Sequence, residues 1–247
     1  MTNEDPLVFD YVESDIQNRQ RTLPLREYDI VVVIGVGGIG SWVAFDLALT
    51  GKVKKLYMFD PDMVESTNLN RTLFKIADVG RYKVDALFNL IAERRLDCDV
   101  EYFQDEFKKK MLDPEMMTEK TCIVDCRDDI FKDLRTYDCK IWKIGYDGLS
   151  ITIDGNPKNT RVWGRSNGYA TVPSFVCSSQ LAANLVVNHI LMEYNPLYID
   201  HPCMDKQGTF NSILTFDSSA LIYDLYNMQH PEAVGKRSRK GVLRDGR

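Results

Sequence analysis

The sequence lacks the features that mark membrane-spanning and secreted proteins. It contains no run of about 18 apolar residues, so no membrane span and no membrane partner are expected. The first six residues, M-T-N-E-D-P, are acidic and polar, which is unlike a secretory signal peptide. None of the six cysteines stands in a C-x-x-C pair, and we expect reduced thiols rather than a disulfide framework. These absences together favour a cytoplasmic protein.

An excess of basic residues is also missing. The 247 residues carry a formal net charge of -5, which argues against a nucleic-acid partner. An apolar content of 44% with 27% charged residues is typical of a globular protein that buries a core. We expect an N-terminal arm or helix over 1–28 and one domain over 29–234. Residues 235–247 hold six basic residues and one acidic residue, and are expected to form a disordered tail.

The most informative stretch is Asp29–Gly40, which runs D-I-V-V-V-I-G-V-G-G-I-G. Its β-branched run, Ile30–Ile34, predicts a strand buried on both faces of a parallel sheet. Gly35, Gly37 and Gly40 follow and match a G-x-G-x-x-G pattern, and Gly38 lies between the last two. Because Ser41–Leu49 has no helix breaker, the context is strand, turn and helix, in which a helix N-terminus accepts a phosphate. The alternative is a tight turn that binds nothing.

The remaining pattern predicts a doubly wound, Rossmann-like α/β fold with a mostly parallel sheet. Further parallel strands are predicted at 55–59, 100–103, 122–125 and 141–144, and helices after Gly80 and at 107–117, 131–137 and 174–194. The C-terminal half adds an antiparallel β portion. Its strands are predicted at 149–153, 161–163, 210–216 and 221–225.

Charged and polar residues between Asp60 and Lys83 add a second signal. Asp60 follows Gly40 by 20 residues and ends the second strand, where an acid accepts hydrogen bonds from ribose hydroxyls. Arg71 and Lys83, if both face the glycine turn, would neutralise a triphosphate and stabilise the departing pyrophosphate. The helix dipole disfavours a lysine at a helix start, which favours a functional role for Lys83. Each of these residues, taken alone, also has a structural explanation. Asp60 could cap a loop, and Arg71 or Lys83 could be a solvated surface cation.

These residues carry a resemblance to a known family. The order D-x-D-x-V-x-x-x-N-L-N-R at 60–71, with G-x-x-K at 80–83, resembles the ThiF/MoeB family of ubiquitin-activating-like ATP-dependent adenylyltransferases. The resemblance implies that ATP is bound by the glycine turn together with Asp60, Asp62, Asn68, Arg71 and Lys83. The sequence V-D-C-R-D-D at 124–129 is similar to the family's D-C-T-D-N, which implies that Asp128 binds Mg²⁺. N-R-Q at 18–20 resembles the end of the family's R-Y-x-R-Q-x-x-L, which implies that Arg19 reaches into the partner's ATP site in a homodimer.

The sequence departs from the family pattern at several positions. Thr72 and Arg81 stand where glutamine is usual. Arg127 replaces a threonine and is expected to contact a phosphate or to pair with Asp128 or Asp129. The two C-x-x-C pairs of many relatives are absent, so no structural zinc of that kind is expected. Cys177 lies in an apolar helix pattern and is expected to be a buried structural thiol, whereas Cys203 lies in a polar loop. Whether either cysteine forms a thioester is left open.

Together these features predict a homodimeric ATP- and Mg²⁺-dependent adenylyltransferase. A carboxylate would attack the α-phosphorus of ATP, and Arg71, Lys83, Asp128 and Arg19 are the expected catalytic residues. By family analogy, the acceptor is the C-terminus of a small ubiquitin-like or sulfur-carrier protein, with a peptide or small carboxylate still open. Two alternatives remain. An NAD-dependent oxidoreductase shares the glycine motif and Asp60, and a partner subunit would keep the fold as a scaffold without catalysis.

Overall fold

A seven-stranded sheet organises the part of the chain that the computed structural model describes, namely Gln20 and residues 23–94, 98–128, 134, 137–147, 150–155, 174–192 and 213–217. The strands are β1 (Tyr28–Ile34), β2 (Val53–Phe59), β3 (Asp99–Phe103), β4 (Thr121–Asp125), β5 (Lys140–Asp147), β6 (Ser150–Asp154) and β7 (Ile213–Asp217). The α-helices of these segments are α1 (Gly40–Leu49), α2 (Lys83–Ala92) and α3 (Val176–Leu191). The strand order is β3-β2-β1-β4-β5-β6-β7, and the first five strands are parallel.

Strand β1 lies at the centre of the parallel part and is buried on both faces. Val31 and Val33 pack on the face that the helices cover, whereas Val32 and Ile34 pack on the other face. All four side chains are at most 1% exposed. This burial confirms what the uninterrupted β-branched run predicts, because a strand with two buried faces needs apolar residues at successive positions.

The two faces of the sheet are covered differently. All three helices pack on the same face, where Val43 of α1, Leu87 of α2 and Val186 of α3 share one core cluster. The opposite face is covered by Phe107, Leu112 and Met117, which are at most 8% exposed.

The prediction of a helix over 107–117 is wrong. The segment forms two short 3₁₀ turns, Lys109–Met111 and Pro114–Met116. Asp113 caps the second turn by accepting a hydrogen bond from the Glu115 N–H, and Pro114 follows it. Proline has no N–H to donate to a preceding turn, so an α-helix cannot continue through it. The apolar residues of the segment instead pack against the sheet.

The antiparallel addition in the C-terminal half is present as predicted. Strand β6 pairs antiparallel with β5, with Asp147 opposite Ser150, and also with β7. The predicted strands at 161–163 and 221–225 and the predicted helix at 131–137 lie outside the described residues, apart from Leu134 and Tyr137. So do residue 19, the tail 235–247 and most of the arm 1–28. In the described segments, none of the helices has the length and apolarity that a membrane crossing requires.

The prediction that Cys177 is a buried structural thiol is wrong. Ala182, Ala183 and Val186 face the core, but Cys177 is exposed, so it is not a buried structural thiol. Asn184 lies seven residues further on and is exposed as well. Because seven residues span about two helical turns, both residues lie on one solvent-facing stripe. The apolar sequence around Cys177 concealed this polar side of the helix.

Candidate active site

The turn between β1 and α1 requires glycine at both of its ends. Gly35 has a φ of 82°, and its N–H donates to the Phe59 carbonyl at 2.7 Å. At Gly40, the first residue of α1, a Cβ atom would stand 1.8 Å from the Gly35 carbonyl oxygen. Close packing of the helix start onto the turn is therefore possible only without a side chain at Gly40.

The middle of the turn lies open. A Cβ atom at Gly37 would have no atom within 4 Å, and Gly37 lines a cavity of about 320 Å³. The cavity lies at the carboxyl ends of β1, β4 and β5. Strand β2 lies on one side of β1 and strand β4 on the other, so the strand order reverses at β1. Ligands of open α/β sheets bind at such a point of reversed strand order.

The cavity brings together six of the residues that the sequence singled out. These are Gly37, Gly38, Asn68, Arg71, Lys83 and Asp128. Four others do not line it, namely Gly35, Gly40, Asp60 and Asp62. Arg19, the residue expected to act in the partner's site, lies outside the described residues. The cavity is also lined by residues that the sequence did not single out as ligands, which are Ile39, Thr72, Cys126, Gly145, Tyr146 and Ser174.

Asp60 ties the glycine turn to the end of β2. Its Oδ2 accepts the Val36 N–H at 2.8 Å, and its Oδ1 accepts the Asp62 N–H at 2.9 Å. The side chain is buried, and burial raises the pKa of Asp60, while the Lys83 charge opposes this shift. Two carboxylate oxygens offer about four acceptor sites. Asp60 therefore orders the turn and keeps acceptor capacity for a ligand.

Lys83 is the first residue of α2 and is held by two acids. Its Nζ lies 2.7 Å from Asp62 Oδ2 and 3.8 Å from Asp60 Oδ1. The backbone joins the same pair, because the Lys83 N–H donates to the Asp62 carbonyl at 2.9 Å. These contacts place the ammonium group at the cavity wall and account for a lysine at a helix start.

Arg71 brings a positive charge to the cavity from the loop after β2. Its Nη1 donates to the Thr67 carbonyl at 2.6 Å and to Asn70 Oδ1 at 3.1 Å. Its own carbonyl accepts hydrogen bonds from Trp42 Nε1 of α1 and Ser179 Oγ of α3. Within the described segments, no carboxylate lies within ion-pair distance of this guanidinium. The two helices thus fix the backbone of Arg71 and leave its charge available.

Asn68 shapes the same loop. Its Oδ1 accepts the Glu65 N–H at 3.0 Å, and its N–H donates to the Glu65 carbonyl at 2.9 Å. This reciprocal pairing closes the 3₁₀ turn Ser66–Asn68. In the structure, Asn68 therefore orders the loop that carries Arg71 and also borders the cavity.

The loop after β4 contains an ion network that the sequence did not reveal. Asp125 is fully buried and accepts hydrogen bonds from the N–H, Nε and Nη2 of Arg127 at 2.9, 3.1 and 3.0 Å. Lys143 of β5 places its Nζ 3.4 Å from Asp125 Oδ1 and also donates to the Arg127 carbonyl. Burial lowers the pKa of Lys143, and the Asp125 carboxylate opposes that shift. Arg127 thus pairs with Asp125, whereas the sequence indicated Asp128 or Asp129 as its partner.

The next residue, Asp128, is exposed and borders the cavity. The described residues contain no group of three or more His, Cys, Asp and Glu side chains suited to a metal ion. Mg²⁺ is commonly bound by one or two carboxylates together with substrate phosphates and water. The single carboxylate of Asp128 beside the cavity is chemically compatible with an ion that is bound in this way.

Tyr146 closes the cavity over the glycine turn. A Cβ atom at Gly38 would stand 2.8 Å from Tyr146 Oη and 3.5 Å from Arg71 Cδ. Gly38 therefore allows both side chains to approach the turn. Cys126 borders the same space, and desolvation raises the pKa of its thiol, which disfavours the reactive thiolate form. No local sequence motif points to Tyr146, because Tyr146 reaches the cavity only through the pairing of β5 with β4.

The chain is similar in sequence to proteins of a known family. The model of the ThiF family matches residues 15–137. The NEDD8-activating enzyme E1 catalytic subunit of Arabidopsis thaliana is 44% identical over 71 residues, which is 28% of this chain and 15% of that protein. The tRNA threonylcarbamoyladenosine dehydratase of Bacillus subtilis (strain 168) is 42% identical over 71 residues, 28% of either chain.

Solved structures show the same fold at lower identity. E. coli MccB superposes with a TM-score of 0.53 at 20% identity, covering 71% of this chain and 56% of that chain. The structure of MccB with ATP gives a TM-score of 0.51, also at 20% identity, over 77% of this chain and 64% of that chain. The chain thus spans less than two thirds of the length of these relatives. Because residues 15–137 match the family model, the chain belongs to the ThiF family.

Proposed function

We propose that the chain is an ATP-dependent adenylyltransferase that activates a carboxylate as an acyl-adenylate. One observation carries the proposal, namely that a single cavity combines the open glycine turn with Arg71, Lys83 and Asp128. A glycine turn of this kind is sufficient to bind the pyrophosphate bridge of a dinucleotide. Two cations and a carboxylate beside the turn suit a triphosphate with its magnesium ion.

The charges around the cavity are arranged for pyrophosphate departure. The N-terminus of α1 offers N–H groups and a partial positive charge to a phosphate at the open Gly37. Arg71 is available for the β- and γ-phosphates, and Lys83 can exchange its contact with Asp62 for a phosphate oxygen. Mg²⁺ held by Asp128 would neutralise phosphate charge. In this scheme Asp60 holds the turn and accepts a ribose hydroxyl.

The reaction needs positioning and charge stabilisation rather than a covalent nucleophile. A carboxylate oxygen of the acceptor attacks the α-phosphorus in line, and the bond from that phosphorus to the bridging oxygen breaks. The electron pair leaves with pyrophosphate, so no proton has to move in this step. Groups that hold developing negative charge in a preorganised site lower the barrier of such a displacement.

The acceptor is proposed from the relatives. NEDD8-activating and ubiquitin-like modifier-activating enzymes are among the sequence relatives, and MccB has been solved with MccA. We propose the C-terminal carboxylate of a small ubiquitin-like or sulfur-carrier protein, or of a peptide. We also propose a cytoplasmic homodimer in which Arg19 of a second copy completes the site.

The test is exchange of labelled pyrophosphate into ATP with a panel of acceptors. Each acceptor is offered with a free C-terminal carboxylate and, as a matched control, with a C-terminal amide. The proposal predicts exchange with at least one free carboxylate and none with its amide. Equal exchange with both forms would contradict it. Tight NADH binding without Mg-ATP binding would favour an oxidoreductase, and binding of neither nucleotide would favour a scaffold.

A further inference from the structure

We infer that Asp125, Arg127 and Lys143 act as positioning residues, forming a buried clamp that fixes the Asp128 loop against the glycine turn. This β4 clamp is a property of the chain's own residues, and its catalytic consequence rests on the proposed function. It assigns a role to three charged side chains, of which only Arg127 drew attention in the sequence.

The clamp begins with two residues paired across neighbouring strands. Asp125 is the last residue of β4, and Lys143 is its register partner in the parallel strand β5. Both side chains are fully buried, and Lys143 Nζ lies 3.4 Å from Asp125 Oδ1. Charged side chains are almost never buried without a partner, so each of the two depends on the other.

Arg127 joins this pair to the loop. Its guanidinium and its N–H all donate to the Asp125 carboxylate, while its carbonyl accepts a hydrogen bond from Lys143. One residue earlier, the Cys126 N–H donates to the Ile34 carbonyl at 2.8 Å. The polar backbone groups immediately before Asp128 are thus tied to β1, β4 and β5. Asp128 follows directly on a peptide that has little freedom to move.

The same clamp supports the glycine turn. A Cβ atom at Gly35 would stand 3.3 Å from Arg127 Cγ and 3.4 Å from the backbone nitrogen of Arg127. Arg127 therefore packs against the residue at which β1 passes into the turn. By holding Arg127, the clamp sets the distance between the turn that faces the phosphates and the carboxylate assigned to the magnesium ion.

A purely structural role is the alternative interpretation. Buried ion pairs are weak evidence for stability, since apolar residues of similar volume often do as well. The location of this pair argues for positioning, because its hydrogen bonds end on the one loop that carries Asp128. Partners that orient metal ligands typically change metal affinity or activity by about 10- to 100-fold when removed.

The test compares Lys143→Met with Lys140→Met in the full chain. Lys140 lies on the same strand, its Nζ is 5.5 Å from the ring centroid of Trp142, and it is not part of the cavity. We expect Lys143→Met to lower kcat for pyrophosphate exchange and to raise the Mg²⁺ concentration for half-maximal rate, each roughly tenfold or more. The KM for ATP should change much less. Amide hydrogen exchange at 126–128 should become faster. Lys140→Met should leave all four quantities as in the wild type.

A second variant covers the case in which Lys143→Met leaves Asp125 uncompensated and fails to fold. Asp125→Asn combined with Lys143→Met removes both charges at nearly constant volume, and it should show the same losses. A folded variant with wild-type kcat, Mg²⁺ dependence and amide protection would overturn the inference. If the wild type itself shows no pyrophosphate exchange, the proposed function fails. The amide exchange of the variant then decides the clamp alone, with acceleration supporting it and unchanged protection refuting it.

Discussion

Two alanine substitutions in the glycine turn should have opposite consequences. Gly37→Ala should leave the fold intact and weaken ATP binding, whereas Gly40→Ala should destabilise the fold. The two positions belong to the same motif and receive the same methyl group. Their difference comes from the surroundings, since a Cβ at Gly37 meets no atom within 4 Å and one at Gly40 meets the Gly35 carbonyl oxygen at 1.8 Å.

The magnitudes follow from these distances. At Gly40, the new Cβ and the oxygen must separate by about 1.2 Å to reach even the shortest contact found for real Cβ atoms, and both belong to packed backbone. Overpacking of this kind costs about 1–3 kcal/mol or more, and the higher helix propensity of alanine returns at most about 1 kcal/mol. A net loss of about 2 kcal/mol lowers Tm by about 4–8 °C in a chain of this size.

At Gly37 the backbone is compatible with alanine, because its φ is not among the positive values in the described residues. Such a replacement stabilises by up to about 1 kcal/mol through the unfolded state. In the ATP complex, however, the methyl group would occupy space that we assign to a phosphate. We expect the Kd for Mg-ATP to rise at least about tenfold, which corresponds to about 1.4 kcal/mol.

The assay is thermal unfolding of wild type and both variants, followed by calorimetric titration with Mg-ATP. Wild-type affinity in Gly37→Ala would show that the turn does not hold the phosphates. A Gly40→Ala protein as stable as the wild type would show that the helix start does not pack on Gly35 as described.

Three further predictions concern charged side chains. Lys83→Met should lower the rate of pyrophosphate exchange by about 100-fold or more, because a preorganised charge at the phosphates is lost. The control variant, Lys75→Met, removes an exposed cation that lies 3.7 Å from Glu93, and it should leave the rate unchanged. Asp128→Asn should abolish exchange without lowering Tm, since this carboxylate is exposed, and wild-type exchange in the variant would refute the magnesium assignment. Burial raises the pKa of the Asp46 carboxyl group to about 6. The folded state therefore binds a proton at Asp46 more tightly than the unfolded chain does. As a result, the free energy of unfolding should fall as the pH rises from about 4 to 6. In unfolding scans, Asp46→Asn should therefore gain Tm relative to wild type across that range, and parallel curves would contradict the assignment.

The sequence predicted the parts of the fold that depend on local pattern. The β-branched run before Gly35 predicted β1. The stretch from Asp60 to Lys83 contains three of the expected site residues that line the cavity, namely Asn68, Arg71 and Lys83. Both signals lie within short stretches of chain, where strand burial, turn geometry and helix start follow from neighbouring residues.

What the sequence could not predict depends on contacts between distant segments. Lys143 looks like a polar interruption of an apolar strand, and it is buried only because the register of β4 and β5 places it beside Asp125. Tyr146 reaches Gly38 for the same reason. The segment around Pro114 was predicted as a helix, whereas its apolar residues pack against one face of the sheet.

We propose that the cavity holds ATP with its α-phosphorus open to a carboxylate. The most direct test is to incubate the protein in stoichiometric amount with an accepted carboxylate and with ATP labelled at either the α- or the γ-phosphate. We expect the α-label to appear in an acyl-adenylate and the γ-label in pyrophosphate. Release of ADP and labelled inorganic phosphate, with no α-label on the acceptor, would contradict it.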